Sequence, residues 1–169
     1  MRYEETGSNY SNTVQWGYDD KNNLSSQTQT LDDTSYTTNY SYDNDNRLKQ
    51  ATTGGKSATY TYDARGNITA ISDGTNTTSY VYDSLDQLTR ENNQAAGKTW
   101  TYAYDDGGNI QSKTEYAYTT GSLGAAVRTI AYGYGDASWS DLLTSIDGQS
   151  LTADEIGNLL SDGTWTYTW

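Results

Sequence analysis

A Tyr-Asp pair recurs along this chain at near-constant intervals, and nothing else in the sequence restricts the fold as tightly. It stands at Tyr18-Asp19, Tyr42-Asp43, Tyr62-Asp63, Tyr82-Asp83 and Tyr104-Asp105, so successive tyrosines are 24, 20, 20 and 22 residues apart. A second aromatic precedes each of these tyrosines by two residues: Trp16, Tyr40, Tyr60, Tyr80 and Tyr102. An aliphatic residue follows each by six: Leu24, Leu48, Ile68, Leu88 and Ile110. Alternation such as Thr59-Tyr60-Thr61-Tyr62 has the period of a strand with rings on one face and hydroxyls on the other. A hairpin of this size is marginal alone, so such units gain stability by stacking on their neighbours.

The segment after each Tyr-Asp pair reads as a turn. Ala64-Arg65-Gly66 fits a three-residue hairpin loop whose last residue takes a positive φ. Glycine adopts that conformation freely, and Asn and Asp do so more easily than other residues. The equivalent residues are Asn22, Asn46, Gly66, Asp86 and Gly108, with Gly157 in a degraded copy, and all belong to that set. Asp19, Asp43, Asp63, Asp83 and Asp105 fall at the first turn position, where a carboxylate accepts hydrogen bonds from loop amides. Their recurrence is structural on this reading. Pairing Asp63 with Asn67 would set Tyr62 against Ile68 and Tyr60 against Ala70. Such cross-strand pairs contribute roughly 0.2–1 kcal/mol each.

A second set of turns, at Thr53–Lys56, Asp73–Asn76, Asn92–Lys98, Asp147-Gly148 and Asp162-Gly163, returns the chain to the next aromatic strand. The predicted fold is all-β, an antiparallel meander of repeated hairpins. Residues 1–15 form an N-terminal flank with an entering strand. Residues 16–113 hold five regular hairpins, and 114–169 hold degenerate copies. In the last part Tyr132-Gly133-Tyr134 keeps the aromatic spacing and Asp136 displaces the acid. Trp165–Trp169 reads as a closing aromatic strand. Met1, the only Met, reads as a start residue placed on an excised stretch of a longer array.

Composition narrows the chemistry. The 17 Tyr and 5 Trp stand beside no Phe, so almost every ring carries a polar handle. The chain has no Cys and no His, which removes disulfides, thiolate ligands and the commonest general base. A net charge of −12 repels phosphate backbones and anionic lipid, so neither nucleic acid nor membrane insertion is expected. No signal-peptide pattern opens the sequence.

Tyr62-Asp63-Ala64-Arg65-Gly66-Asn67-Ile68 and Tyr104-Asp105-Asp106-Gly107-Gly108-Asn109-Ile110 carry a specific motif, Tyr-Asp-x-x-Gly-Asn/Arg-Leu/Ile. Through it the chain resembles the Rhs/YD-repeat family, which includes bacterial Rhs and wall-associated proteins, the C-component of insecticidal toxin complexes, and teneurins. The resemblance implies a curved or spiralling β-sheet shell of a large secreted or cell-surface protein. The implied partners are the rest of that parent shell and an encapsulated polypeptide or glycan. The family's Asp-Pro self-cleavage element has no counterpart, since the chain has no Pro.

Each candidate site has a plainer structural reading. Asp43-Asn44-Asp45-Asn46 has the composition of a calcium loop but lacks the downstream bidentate Glu. Recurring carboxylates are a poor catalytic pair, because an active site is not copied in every hairpin. No catalytic residue, metal site or cofactor is expected, and the chain reads as a non-catalytic scaffold. The alternative is a carbohydrate- or partner-binding adhesion module with a glycan platform at Tyr40, Tyr60, Tyr80, Tyr102 and Tyr132. Against this, the same tyrosines read as the buried face of the sheet. Exposed strand edges would also permit edge-to-edge self-association.

Overall fold

The computed structural model describes residues 2–7 and 10–169, with side chains from Asn12 onward. Met1, the proposed start residue, lies outside the described residues. Sixteen strands and no helix are present among those described. They are β1 (Arg2–Gly7), β2 (Tyr10–Tyr18), β3 (Leu24–Leu31), β4 (Thr34–Tyr42), β5 (Leu48–Thr53), β6 (Lys56–Tyr62), β7 (Ile68–Ser72) and β8 (Thr77–Tyr82). There follow β9 (Leu88–Asn93), β10 (Lys98–Tyr104), β11 (Ile110–Ala117), β12 (Arg128–Gly133), β13 (Ser145–Ile146), β14 (Gln149–Ser150), β15 (Thr152–Ala153) and β16 (Leu159–Ser161). From β1 to β14 each strand pairs with its neighbour in sequence, and β15 and β16 form a separate pair. The chain divides into two compact units, Met1–Ser79 and Tyr80–Trp169, within β8.

The meander is set by two alternating kinds of turn. At one end of the hairpins lie the Tyr-Asp turns. At the other lie tight returns such as Gly54-Gly55, with φ of 57° and 78°. Positive φ at both central residues gives the turn twist that matches strand twist. Asp32-Asp33 does the same with φ of 43° and 67°, a return that the sequence reading passed over. The predicted Asn92–Lys98 turn is shorter than expected. Asn92 and Asn93 belong to β9 and Lys98 to β10.

Pairing departs from the expected register at one point. Tyr62 does lie opposite Ile68, but Thr61 faces Ala70 and Tyr60 faces Ile71, not Ala70. Thr69 is an extra residue on the returning strand, a β-bulge. The bulge recurs after Leu24, Leu48, Ile110 and Leu159. It keeps Ile68 and Ile71 on the ring face although they are three residues apart.

In the first unit the face opposite the rings is almost wholly small and polar. Its hydroxyls satisfy one another across strands, as in Thr28–Thr37 at 2.9 Å, Thr30–Ser35 at 2.8 Å and Thr52–Ser57 at 2.9 Å. In the second unit the loop after β11 folds onto this polar face. Thr119 N donates to Thr99 Oγ1 at 3.0 Å, and the Arg90 guanidinium donates to the carbonyls of Thr119 and Gly121 at 2.6 and 2.9 Å. Thr99 and Asn92, 0% and 5% exposed, are buried there.

The expected buried face is not found. Among the described residues no hydrophobic side chain is buried, and Tyr40, Tyr60, Tyr80, Tyr102 and Tyr132 are all half-buried. Strands paired side by side, with no helix against either face, leave rings shielded only by their neighbours. Trp165–Trp169 also differs from expectation: it forms no strand, and Thr166 makes only an isolated bridge to Ser161. Regular strand assignment needs a run of paired residues, and this stretch has only that one pair.

Candidate functional site

The five Tyr-Asp turns and the degenerate Ala153-Asp154 turn share one geometry. The backbone N–H of Asp63 donates to Asn67 O at 3.0 Å, and Gly66 N donates to Asp63 O at 3.2 Å. The same two bonds close the turns at Asp19, Asp43, Asp83, Asp105 and Asp154. The residue in the left-handed slot has φ of 64° at Asn22, 65° at Asn46, 95° at Gly66, 62° at Asp86, 88° at Gly108 and 89° at Gly157. Each carboxylate spans its loop. Asp63 Oδ1 accepts from Arg65 N and Asn67 N at 2.9 Å each, and Oδ2 accepts from Asn67 Nδ2 at 3.1 Å. Asp105 holds Gly107 N, Asn109 N and Asn109 Nδ2 in the same way. Asp83 Oδ1 takes Leu85 N and Gln87 N at 2.8 and 3.0 Å.

This explains a motif position whose role the sequence reading did not identify. The residue after the left-handed slot, Asn23, Arg47, Asn67, Asn109 or Asn158, returns a side-chain donor to the turn carboxylate. Donation to the ionised form lowers its pKa. The Asn109 side chain, then its amide, holds Asp105 below the ordinary value of 3.8. The Asn158 side chain leads at Asp154, and the Asn23 and Arg47 amides lead at Asp19 and Asp43. At Asp63 burial opposes, and the bonds from Asn67 outweigh it.

The same kind of bond engages the carboxylate of the calcium-like tetrapeptide Asp43–Asn46. An open cleft of about 460 Å³ lies beside Asp19, Asp43 and Asn46. Asp43 Oδ1, however, is occupied by Asp45 N and Arg47 N, and Oδ2 by the Arg47 guanidinium at 2.7 Å. Among the described residues no group of three or more acidic side chains is placed to hold a metal.

The tyrosines of three of the pairs, and Tyr134 in the degenerate part, look backward along the array. Tyr42 Oη donates to Leu24 O at 2.9 Å, and Tyr62 Oη to Leu48 O at 2.7 Å. Tyr104 Oη donates to Leu88 O at 2.9 Å, and Tyr134 Oη to Ile110 O at 3.2 Å. The acceptor is always the aliphatic residue of the preceding repeat. The motif's two hydrophobic positions therefore meet twice, across their own hairpin and between hairpins. Turns are joined as well. Arg47 lies 4.7 Å from the Tyr62 ring centroid and donates to Asp63 O at 3.0 Å, while Asn23 Nδ2 donates to Asn46 Oδ1 at 3.0 Å.

Within each unit, successive platform tyrosines are not directly in line across the strands. In the first unit Tyr40 faces Ala51, which faces Ala58, two residues short of Tyr60. In the second unit Tyr102 faces Lys113, which faces Ile130, two residues short of Tyr132. Burial, then the charge of Glu91, pushes the Tyr102 hydroxyl up to about 12.

The teneurin YD-shell family model matches residues 6–137, more than half of the chain. The chain belongs to this family. Among solved structures, this YD-shell chain resembles the crystal structure of TcdB2-TccC3-Cdc42, with a TM-score of 0.53 and 19% identity. The match covers 88% of this chain and 11% of that one. The Photorhabdus luminescens Tc holotoxin pore carrying TccC3-D651A matches with a TM-score of 0.52, 19% identity and the same coverages. At that identity the likeness concerns the fold: an all-β antiparallel sheet of hairpins. The YD-shell segment spans about a ninth of those chains. No curated protein matches it.

Proposed function

We propose that this YD-shell segment is a non-catalytic structural scaffold, one stretch of the wall of a larger secreted or cell-surface shell. In the parent that wall encloses or presents a polypeptide such as a toxin. The observation that carries this reading is the backward Tyr-to-carbonyl bond, which within each unit fastens a hairpin to the one before it and occupies the tyrosine hydroxyl. On this reading the turn residues Asp19/Asn22, Asp43/Asn46, Asp63/Gly66, Asp83/Asp86 and Asp105/Gly108 are architectural. The organisation is a flank over 1–15, five regular hairpins over 16–113 and degenerate copies over 114–169. A two-repeat piece, residues 34–72, should lose cooperative thermal unfolding, because it lacks stacked neighbours. A cooperative transition in that piece would overturn the scaffold reading.

A second reading is supported by the half-exposed rings, including the platform residues Tyr40, Tyr60, Tyr80, Tyr102 and Tyr132. It makes the aromatic face a carbohydrate- or partner-binding surface. Edge-to-edge self-association is a related proposal, because among the described residues β1 pairs with β2 alone. Sedimentation velocity should then show a concentration-dependent dimer. A monomer throughout the concentration range would refute it.

A further inference from the structure

The ring face of the second unit differs chemically from that of the first. Where Tyr60 faces Ile71, the corresponding neighbours of Trp100 and Tyr102 are charged. Trp100 lies opposite Glu91 and Glu115, and Tyr102 lies opposite Lys113. The Lys113 ammonium sits 5.0 Å from the Trp100 ring centroid and 5.5 Å from that of Tyr102. Neighbouring charges are already matched. Lys98 pairs with Glu115 at 2.9 Å, and Arg128 pairs with Asp147 at 3.0 Å. Lys98 above all, with the Trp100 indole and Arg128 beside it, holds the Glu115 carboxyl below its ordinary value. Among the described residues no carboxylate pairs with Lys113.

Trp100, Lys113, Glu115, Arg128 and Ile130 line a notch of about 60 Å³. A notch of this size admits a small polar group such as a carboxylate and leaves the bulk of a sugar ring outside it. Arg128, paired with Asp147 and with 66% of its side chain exposed, borders this space.

We propose that this notch is a subsite for an acidic sugar, a hexuronate or similar residue. Its carboxylate enters between Lys113 and Arg128 while the C–H face of the pyranose lies on Trp100 and Ile130. The cations supply charge-assisted hydrogen bonds and the indole an amphipathic wall. The hydroxyl of Tyr132 on the same face suits the sugar's own hydroxyls better than an acidic peptide side chain. The site rests on the ligand-binding reading of the ring face and is independent of the scaffold reading.

The test titrates the full chain with sodium glucuronate, glucose and sodium acetate at constant ionic strength. The Trp100 indole N–H is followed by NMR, its resonance assigned by its loss in Trp100→Phe. Glucuronate should give a saturable shift, with glucose and acetate each at least about tenfold weaker, equivalent to about 1.4 kcal/mol. Lys113→Gln should reduce glucuronate to the level of glucose. Trp100→Ala, followed through the ligand's own resonances, should reduce it to the level of acetate. Equal responses to glucuronate and glucose, or to glucuronate and acetate, would overturn the site, as would undiminished binding by Lys113→Gln. Thermal melts of Lys113→Gln should remain cooperative, so failure of the sugar site is distinguishable from failure of the scaffold.

Discussion

Replacing Tyr62 by Phe isolates the bond between repeats. The ring, its place opposite Ile68 and its contact with Arg47 at 4.7 Å all remain. What is lost is the 2.7 Å bond from Tyr62 Oη to Leu48 O. A typical intramolecular hydrogen bond contributes about 0.5–1.5 kcal/mol net. The half-exposed ring places the loss near 1 kcal/mol, since water can reach a released carbonyl. At that size the melting temperature should fall by about 2–4 °C for a chain of this length. Amides of β5 and β6 should exchange about fivefold faster. Tyr36→Phe, at a 56% exposed ring, serves as the control and should change neither. Tyr62→Leu should cost more than Phe. It also forfeits the cation–π contact, worth about 0.5–1 kcal/mol at such sites. If Tyr62→Phe matches the wild type in both measurements, the hydroxyl does not fasten the repeats and the reasoning fails.

Gly66→Val should destabilise by about 1–2 kcal/mol in denaturant unfolding while Gly66→Asn stays close to neutral. A Cβ there meets nothing within 4 Å, so the cost is φ at 95° and not space. Equal losses in the two variants would refute this. Stability should also fall in acid. Asp19, Asp43, Asp105 and Asp154 have native pKa values below the ordinary 3.8. Their contribution is therefore present above that value and is lost as pH falls through the lowered native values. Melts between about pH 5 and pH 2 should show the decline, and Asp105→Asn should make it shallower. An unchanged slope in Asp105→Asn would remove that carboxylate from the account.

What could be read in advance follows the range of the interactions. The left-handed slot is a constraint on one residue, so Asn22, Asn46, Gly66, Asp86 and Gly108 reveal the turns directly. The six-residue offset between Tyr62 and Ile68 spans a single short loop and was equally legible. The Tyr60–Ala70 pairing failed because the bulge at Thr69 inserts a residue that leaves no mark in an alternating pattern. The backward bonds were hidden for a different reason. Tyr104 and Leu88 lie in separate repeats, and nothing in a motif says which carbonyl a hydroxyl will reach. The Trp100 subsite had a visible signal that went unused: Glu91, Lys98, Lys113 and Glu115 all share the parity of the ring face.

The absence of Phe and the lack of buried hydrophobic side chains among the described residues have one physical explanation. A side-by-side sheet buries its rings only halfway, so ring burial yields less than it does in a packed core. The shortfall has to be met by bonds directed between neighbours. Phe can fill the half-buried position but cannot make the bond. Tyr does both, at 2.7 Å from Leu48 O in one repeat and 2.9 Å from Leu88 O in another. The same logic accounts for the Asp of the pair. Without a core to fix the loop, the carboxylate of Asp63 or Asp105 fixes it through three donors of its own turn. The pair is therefore conserved along the array by two separate needs: Tyr binds a hairpin to its predecessor, and Asp holds the hairpin's own bend.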